Sequence, residues 1–196
     1  QRKWRGMLLV PWVIPPAMST LAWLWLFDPS YSAFNYLLAG VGIDRIPWTG
    51  ETGWARFSVI LVNIWVGAPF FMIMYLAALK SVPDQLYEAA SIDGANWWQR
   101  VWYIILPQMR GVIEFFMVVS VITMLAAVFA YVFVMGGGRG GPGTSTPVVE
   151  LYIFNALIRT SLPGIASAAS VLLFLVSVLL IFPLFSARRR AREQEG

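Results

Sequence analysis

"EAASIDGANWWQRVWYIILP", running from Glu88 to Pro107, lies between two long apolar runs, Phe57–Leu79 and Val112–Met135. It carries Glu88, Asp93, Arg100, Gly94 and the indoles Trp97, Trp98 and Trp102. Charged groups at that density are too costly for the hydrocarbon layer. The stretch therefore reads as a surface segment that joins two membrane spans. Working outward, four apolar runs approach or exceed the roughly 20 residues that cross a hydrocarbon core of about 30 Å. They are Met7–Phe27, Phe57–Leu79, Val112–Met135 and Ile165–Ala187. The 196 residues are 59% hydrophobic and 12% charged, about half the charge fraction of a soluble domain. The composition specifies an all-α polytopic membrane protein with spans at about 7–27, 57–79, 112–135 and 165–187. A loop at 80–111 lies on one side, and loops at 28–56 and 136–164 lie on the other.

The chain has neither Cys nor His. Cys/His zinc sites, His-based triads and His proton relays are thereby excluded. Gln1–Gly6 has charge but no apolar run of its own ahead of the first span, unlike a signal peptide. A chain that opens on Gln reads as a piece of a longer protein. Placing that end in the cytoplasm puts Arg2, Lys3, Arg5, Lys80, Arg100, Arg110, Arg188, Arg189, Arg190 and Arg192 inside, and Arg45, Arg56, Arg139 and Arg159 outside. The positive-inside rule then assigns the 80–111 loop and the C-terminus to the cytoplasm, in a multi-pass membrane protein. The basic tail Arg188–Arg192 is read as a membrane anchor rather than as a nucleic-acid contact.

Pro11, Pro15 and Pro16 predict a kinked first span packed against neighbours. Phe34, Tyr36, Leu37 and Leu38 suggest a short interfacial helix stopped by Gly40 and Gly42, and Trp48 and Trp54 suit an aromatic belt. Small residues open the fourth span, Gly164, Ala166, Ser167, Ala168, Ala169 and Ser170, and favour close helix packing. "GGGRGGPGTST" at 136–146 resembles a phosphate-binding loop only weakly: Thr144, not Lys, follows Gly143, and an apolar span rather than a strand precedes it. It is read as a flexible outer loop, followed by an amphipathic stretch from Val148 to about Leu157.

The spans hold almost no ionisable groups. Glu114, near the cytoplasmic end of the third, reads as interfacial, and Arg56 as an anchor. A translocating chain of this kind has to receive its driving force through protein contact. In the 80–111 loop, Pro83 and Asp84 suit a first helical turn, and Gly94 suits its end. A second helix is expected from about Ala95 toward Leu106, stopped by Pro107, with Trp97, Trp98, Trp102 and Tyr103 seating it in the interface. Leu86, Ala89, Ala90 and Asp93 fall together at helical spacing, and small residues beside Glu88 suit docking into a groove of a partner.

Here the residues converge on a family. Glu88, Ala89, Ala90, Gly94, Ile104, Leu106 and Pro107 meet in full the spacing of the EAA loop, and the segment resembles that of ABC importer permeases. "Asp93-Gly94-Ala95", "Gly140-Gly141-Pro142" with Thr144 and Thr146, and "Asn35-Tyr36-Leu37-Leu38" before "Val41-Gly42-Ile43" are similar to the carbohydrate-uptake branch, of maltose or glycerol-phosphate type. The resemblance implies a type I ABC importer permease fold, with about two N-terminal helices missing here. It implies that Glu88, Ala89, Ala90, Asp93, Gly94, Leu106 and Pro107 couple the chain to a cytoplasmic ATPase dimer, with Gly94 allowing the bend. That dimer would hold ATP and Mg, and the chain itself would carry no cofactor and no catalytic group. A second permease subunit and an extracytoplasmic solute-binding protein complete the implied assembly. By the same resemblance, Asn63, Gly67 and Phe70, with Ser120, Thr123 and Met124, line a sugar pathway.

Residues 63, 67 and 70 share one helix face, as do 120, 123 and 124, and both clusters fall near mid-membrane. Asn63 and Ser120 can bond sugar hydroxyls, Gly67 leaves room, and Phe70 can stack on a sugar ring. Ordinary interhelical bonding, worth about 0.6 kcal/mol, is the competing account, and the preferred one for Thr123 and Met124. A disaccharide, an oligosaccharide and glycerol-3-phosphate all remain as substrates. The spans hold no basic residue for a phosphate ester, which favours a neutral sugar. The rival readings are an ATP-independent channel or secondary transporter, which needs mid-membrane charge or a polar face, and an intramembrane enzyme, which needs a nucleophile with a base or metal ligands.

Overall fold

The computed structural model describes residues 6–142 and 148–195. Arg2, Lys3, Arg5, Thr144 and Thr146, which entered the readings above, lie outside them. Every regular element among the described residues is helical. The first apolar run is divided between α1 (Val10–Val13) and α2 (Pro16–Leu26). Proline drives the residue before it out of the helical region, and the Pro15–Pro16 pair does so twice. Ile14 takes ψ 132° and Pro15 takes ψ 134°. The expected kink is thus a complete break.

The short helix α3 (Ala33–Ala39) is capped by Ser32, whose hydroxyl accepts from the Asn35 N–H. The long helix α4 (Thr52–Leu79) follows, then α5 (Asp84–Ile92) and α6 (Trp97–Arg100). A π-turn at Val101–Ile105 leads straight into α7 (Leu106–Ala127) and then α8 (Phe129–Met135). Pro107 therefore does not stop the helix as expected. A proline ring clashes with the carbonyl four residues back. The wider π-turn, in which Leu106 N–H reaches Val101 C=O, sits at that point and carries the chain through. The third span consequently begins well before Val112. After α9 (Val149–Phe154) and a second π-turn at Asn155–Arg159, α10 (Pro163–Glu195) closes the described chain. Among the described residues three stretches are long and apolar enough to cross a membrane: Thr52–Leu79, Trp97–Met124 and Pro163–Phe182.

Two cores lie at opposite ends of α4. One gathers Trp23 and Phe27, Trp48, Val59, Val62 and Val66, Tyr131, Val132 and Met135, and Leu151. Asn35, 5% exposed, staples this end. Its Oδ1 accepts from Ile46 N–H at 3.1 Å and from the Trp48 indole at 3.0 Å, and its Nδ2 donates to Ile46 C=O at 3.1 Å. Ser58 on α4 donates to Trp48 C=O at 2.9 Å. The other core is Ala78, Val82 and Met109, ringed by Tyr75, Leu86, Tyr87, Ile104 and Ile105.

The glycine-rich loop is not loose over its described part. Gly137, Gly138, Gly140 and Gly141 all take φ between 59° and 89°. Gly138 N–H bonds Phe133 C=O at 2.6 Å, and Gly141 N–H bonds Gly136 C=O at 3.2 Å. A Cβ at Gly136 would stand 2.5 Å from Gly141 N. Over these residues the left-handed glycines fold the chain back onto the end of α8.

Candidate coupling elbow and translocation face

The elbow is built on the lower core. Val82, with its 6% exposure, and Ala78 and Met109 form a seat on which Leu86 and Tyr87 of α5 rest, and Ala90 of the same helix is buried. The four positions expected to cluster divide accordingly. Leu86 and Ala90 face the chain's own core, whereas Ala89 and Asp93 are exposed. Gln85, Glu88, Ala89 and Ile92 are all exposed and recur at helical spacing, so they form one outward stripe. Ile92 is 87% exposed, an apolar side chain with nothing over it among the described residues. The sequence reading passed it over because its spacing matters only once the inward face is known.

The corner is fully hydrogen-bonded. Asp93 closes α5, and Gly94 turns left-handed at φ 71°. Ala95 N–H bonds Ala90 C=O at 2.9 Å and Gly94 N–H bonds Ser91 C=O at 3.3 Å, the reciprocal pair of a Schellman ending. Asn96 then caps α6: its side chain accepts from Gln99 N–H at 2.9 Å, and Gln99 Oε1 accepts from Asn96 N–H at 2.8 Å. Arg100 Nε donates to Ala95 C=O at 2.9 Å. An Asn followed three residues later by Gln is a capping-box signature, so this start was open to prediction. Leu106 is half-buried and Pro107 exposed at the entry to α7. Arg110 and Glu114 pair there at 2.8 Å on the exposed surface. Trp97, Trp98, Trp102 and Tyr103 are all exposed.

The six pathway positions fall on α4 and α7, which pack together. Asn63, Gly67 and Phe70 are half-buried. A Cβ at Gly67 would meet only the Phe71 ring edge, at 3.9 Å. One face of Phe70 is taken: Trp12 stacks on it at 5.5 Å, a long-range pairing that no local pattern announces. Phe70 also meets Phe116 edge-on at 6.0 Å. Ser120 donates to Phe116 C=O at 2.7 Å and Thr123 to Ser120 C=O at 2.9 Å, so both hydroxyl protons stay within α7. Met124 is 63% exposed. Phe70 and Ser120 thus approach one another through Phe116, while Thr123 and Met124 lie on exposed surface.

Comparison with known proteins places this arrangement. A family model described as a binding-protein-dependent transport system inner membrane component matches residues 2–191. The trehalose/maltose transport system permease protein MalF of Thermococcus litoralis is 34% identical over 88% of this chain and 57% of its own length. The diacetylchitobiose uptake system permease protein NgcF of Streptomyces coelicolor is 32% identical over 95% of this chain and 53% of its own. The chain spans about half the length of the curated relatives it matches. A solved bacterial ABC transporter involved in the import of the acidic polysaccharide alginate superposes with a TM-score of 0.87 at 27% identity. The match covers 96% of this chain and 65% of that one. The same transporter type in complex with an alginate pentasaccharide-bound periplasmic protein gives 0.86 at 26% identity, over 97% of this chain and 65% of that one.

Proposed function

The chain belongs to the family of binding-protein-dependent transport inner membrane components, and from that premise we propose that it is the membrane-spanning permease part of an ATP-driven sugar importer. The cargo is a di- or oligosaccharide, in keeping with relatives named for maltose, galactooligosaccharide and diacetylchitobiose transport. An external solute-binding protein delivers it, a second permease subunit completes the pathway, and an ATPase dimer that holds ATP and Mg drives it. The periplasmic protein bound to the alginate transporter supports the first of these partners.

The observation that carries the reading is the elbow. Its inner face is seated on Val82, Ala78 and Met109, and its outer stripe presents Glu88, Ala89 and Ile92. A capped corner transmits a push as a lever. Force applied by the ATPase at Glu88 passes through Leu86 and Tyr87 into the cytoplasmic ends of α4 and α7, which carry Asn63, Gly67, Phe70, Ser120, Thr123 and Met124. In this mechanism Glu88, Ala89 and Asp93 make contact. Ala90 is buried behind the contact face, Gly94 forms the corner, and Leu106 and Pro107 mark where the elbow joins the span.

The test is purification of the assembled transporter with Glu88→Lys. Retention of the ATPase subunit and hydrolysis stimulated by the binding protein are expected to fall together. Unchanged retention and unchanged stimulation would remove the elbow from the coupling path and favour an ATP-independent channel or secondary transporter.

A further inference from the structure

At the end of α4 opposite the elbow, a cleft of about 500 Å³ opens along α3, lined by Ser30, Tyr31, Ser32, Tyr36, Leu37 and Arg45 among others. Its depth relative to the membrane follows from contacts. Phe34 packs at 5.8 Å from Trp23 and 5.7 Å from Phe27, at the last turn of α2. Asn35 is stapled to Trp48, which is bonded to Ser58 in the second turn of the span α4. The helix α3 therefore lies beside the terminal turns of the bundle, where headgroups meet acyl chains.

Its outward face agrees with that level. Ala33, Tyr36, Leu37, Gly40 and Val41 all face out, and the helix has no charged residue. Tyr31 and Tyr36 are 88% and 81% exposed. A helix turned to water carries charges on its outer face, whereas one in the interface carries apolar groups and tyrosines. Arg45 is the one charged residue lining the cleft, and it forms no ion pair among the described residues. The cleft wall carries its own hydrogen bonds. Asp28 Oδ1 accepts from Ser30 N–H at 2.8 Å and from Tyr31 N–H at 3.1 Å, and Asn35 fixes the far side.

We propose that this cleft holds a phospholipid of the leaflet opposite the elbow. Arg45 takes the phosphate through its forked donors, with the hydroxyls of Ser30 and Tyr31 as neighbouring donors. Tyr36 and Leu37 lie along the start of an acyl chain. The site requires neither ATP nor a sugar, so it stands or falls independently of the importer reading.

These 196 residues contribute no cysteine, so Tyr36→Cys in the full subunit, within the assembled transporter and with any cysteine elsewhere in it replaced by serine, gives a single labelling site. A spin label there, in nanodiscs of phosphatidylcholine and phosphatidylglycerol, is expected to meet dissolved oxygen more readily than an aqueous nickel chelate. Preferential access to the chelate would show a water-facing cleft, and shielding from both would show a protein cover; either overturns the proposal. Native mass spectrometry supplies a measurement that does not depend on the label. The most tightly retained phosphatidylglycerol adduct is expected to be lost in Arg45→Gln and largely kept in Arg45→Lys. Equal retention in Arg45→Gln, or displacement of the lipid by inorganic phosphate at matched concentration, overturns it as well.

Discussion

Single residues decide this molecule where one side chain answers several buried backbone or ring groups. Asn35 is the clearest case, since its amide satisfies Ile46 in both directions and the Trp48 indole. Asn35→Leu leaves those donors unmet, and each buried unmet group costs about 1–3 kcal/mol. Thermal unfolding in detergent, followed by tryptophan emission, is expected to show a large loss of stability. Asn35→Asp is expected to fall between the two, because a carboxylate still accepts from Ile46 and Trp48 but gives nothing back to Ile46 C=O. The glycines separate by a different rule. Gly94→Ala meets open space and loses roughly 1–2 kcal/mol for its left-handed φ. Gly136→Ala meets Gly141 N at 2.5 Å and Val132 C=O at 2.7 Å, both backbone, and is expected to be the more damaging in the same assay. Little of this was open to a sequence reading. Asn35 stood out only within a family resemblance, because its partners lie 11 and 13 residues away. The run at 136–141 reads as loose because glycine is permissive, yet that permissiveness lets four left-handed residues lock a turn.

Among the elements, the elbow and the span it feeds are continuous through the π-turn at Val101–Ile105, as the proposed lever requires. The two neighbouring alanines of the motif separate cleanly in their effects. Ala90→Leu adds bulk at a position only 6% exposed, and overpacking of a buried site costs about 1–3 kcal/mol. Ala89→Leu adds bulk to exposed surface, so folding is expected to survive while retention of the ATPase weakens. Thermal melts and pull-down of the assembled transporter tell the two apart, and equal melts for both would refute the assigned faces. Pro107→Ala restores an amide N–H and removes the clash that the π-turn accommodates. The turn is then expected to tighten to α, rotating the elbow about α7, with stimulated hydrolysis reduced and the ATPase still bound. The long spans were legible because apolar runs of this length have one structural use. The corner at Gly94 was legible because a glycine after a helical pattern ends it. The junction at Pro107 was not: proline reads as a stop, and only the π-turn at Val101–Ile105 reveals that the helix continues.

Across the whole molecule, the two cores sit at opposite ends of α4, and the aromatic set of Trp12, Phe70, Phe71, Phe116 and Tyr75 lies between them. The proposed sugar pathway runs through that middle region and includes Asn63. Losing one hydrogen bond to a neutral sugar removes on the order of 1 kcal/mol. Asn63→Ala is therefore expected to lower sugar uptake into proteoliposomes several-fold with hydrolysis still stimulated by the binding protein. Loss of stimulation instead would make Asn63 a packing or gating residue. The placement of the indoles has a separate, optical consequence. Trp23 and Trp65 stand 5.4 Å apart edge to face, Trp48 and Trp54 stand 5.5 Å apart, and Trp97 and Trp98 stand 4.6 Å apart at the other end. Indoles this close share their excitation, so each pair has a chiral near-ultraviolet signature that depends on the angle between its rings. The protein thus carries a built-in chromophore pair at the elbow and two more in and around the core toward the other end of α4. Circular dichroism taken through a transport cycle can follow both ends of the lever without any added dye.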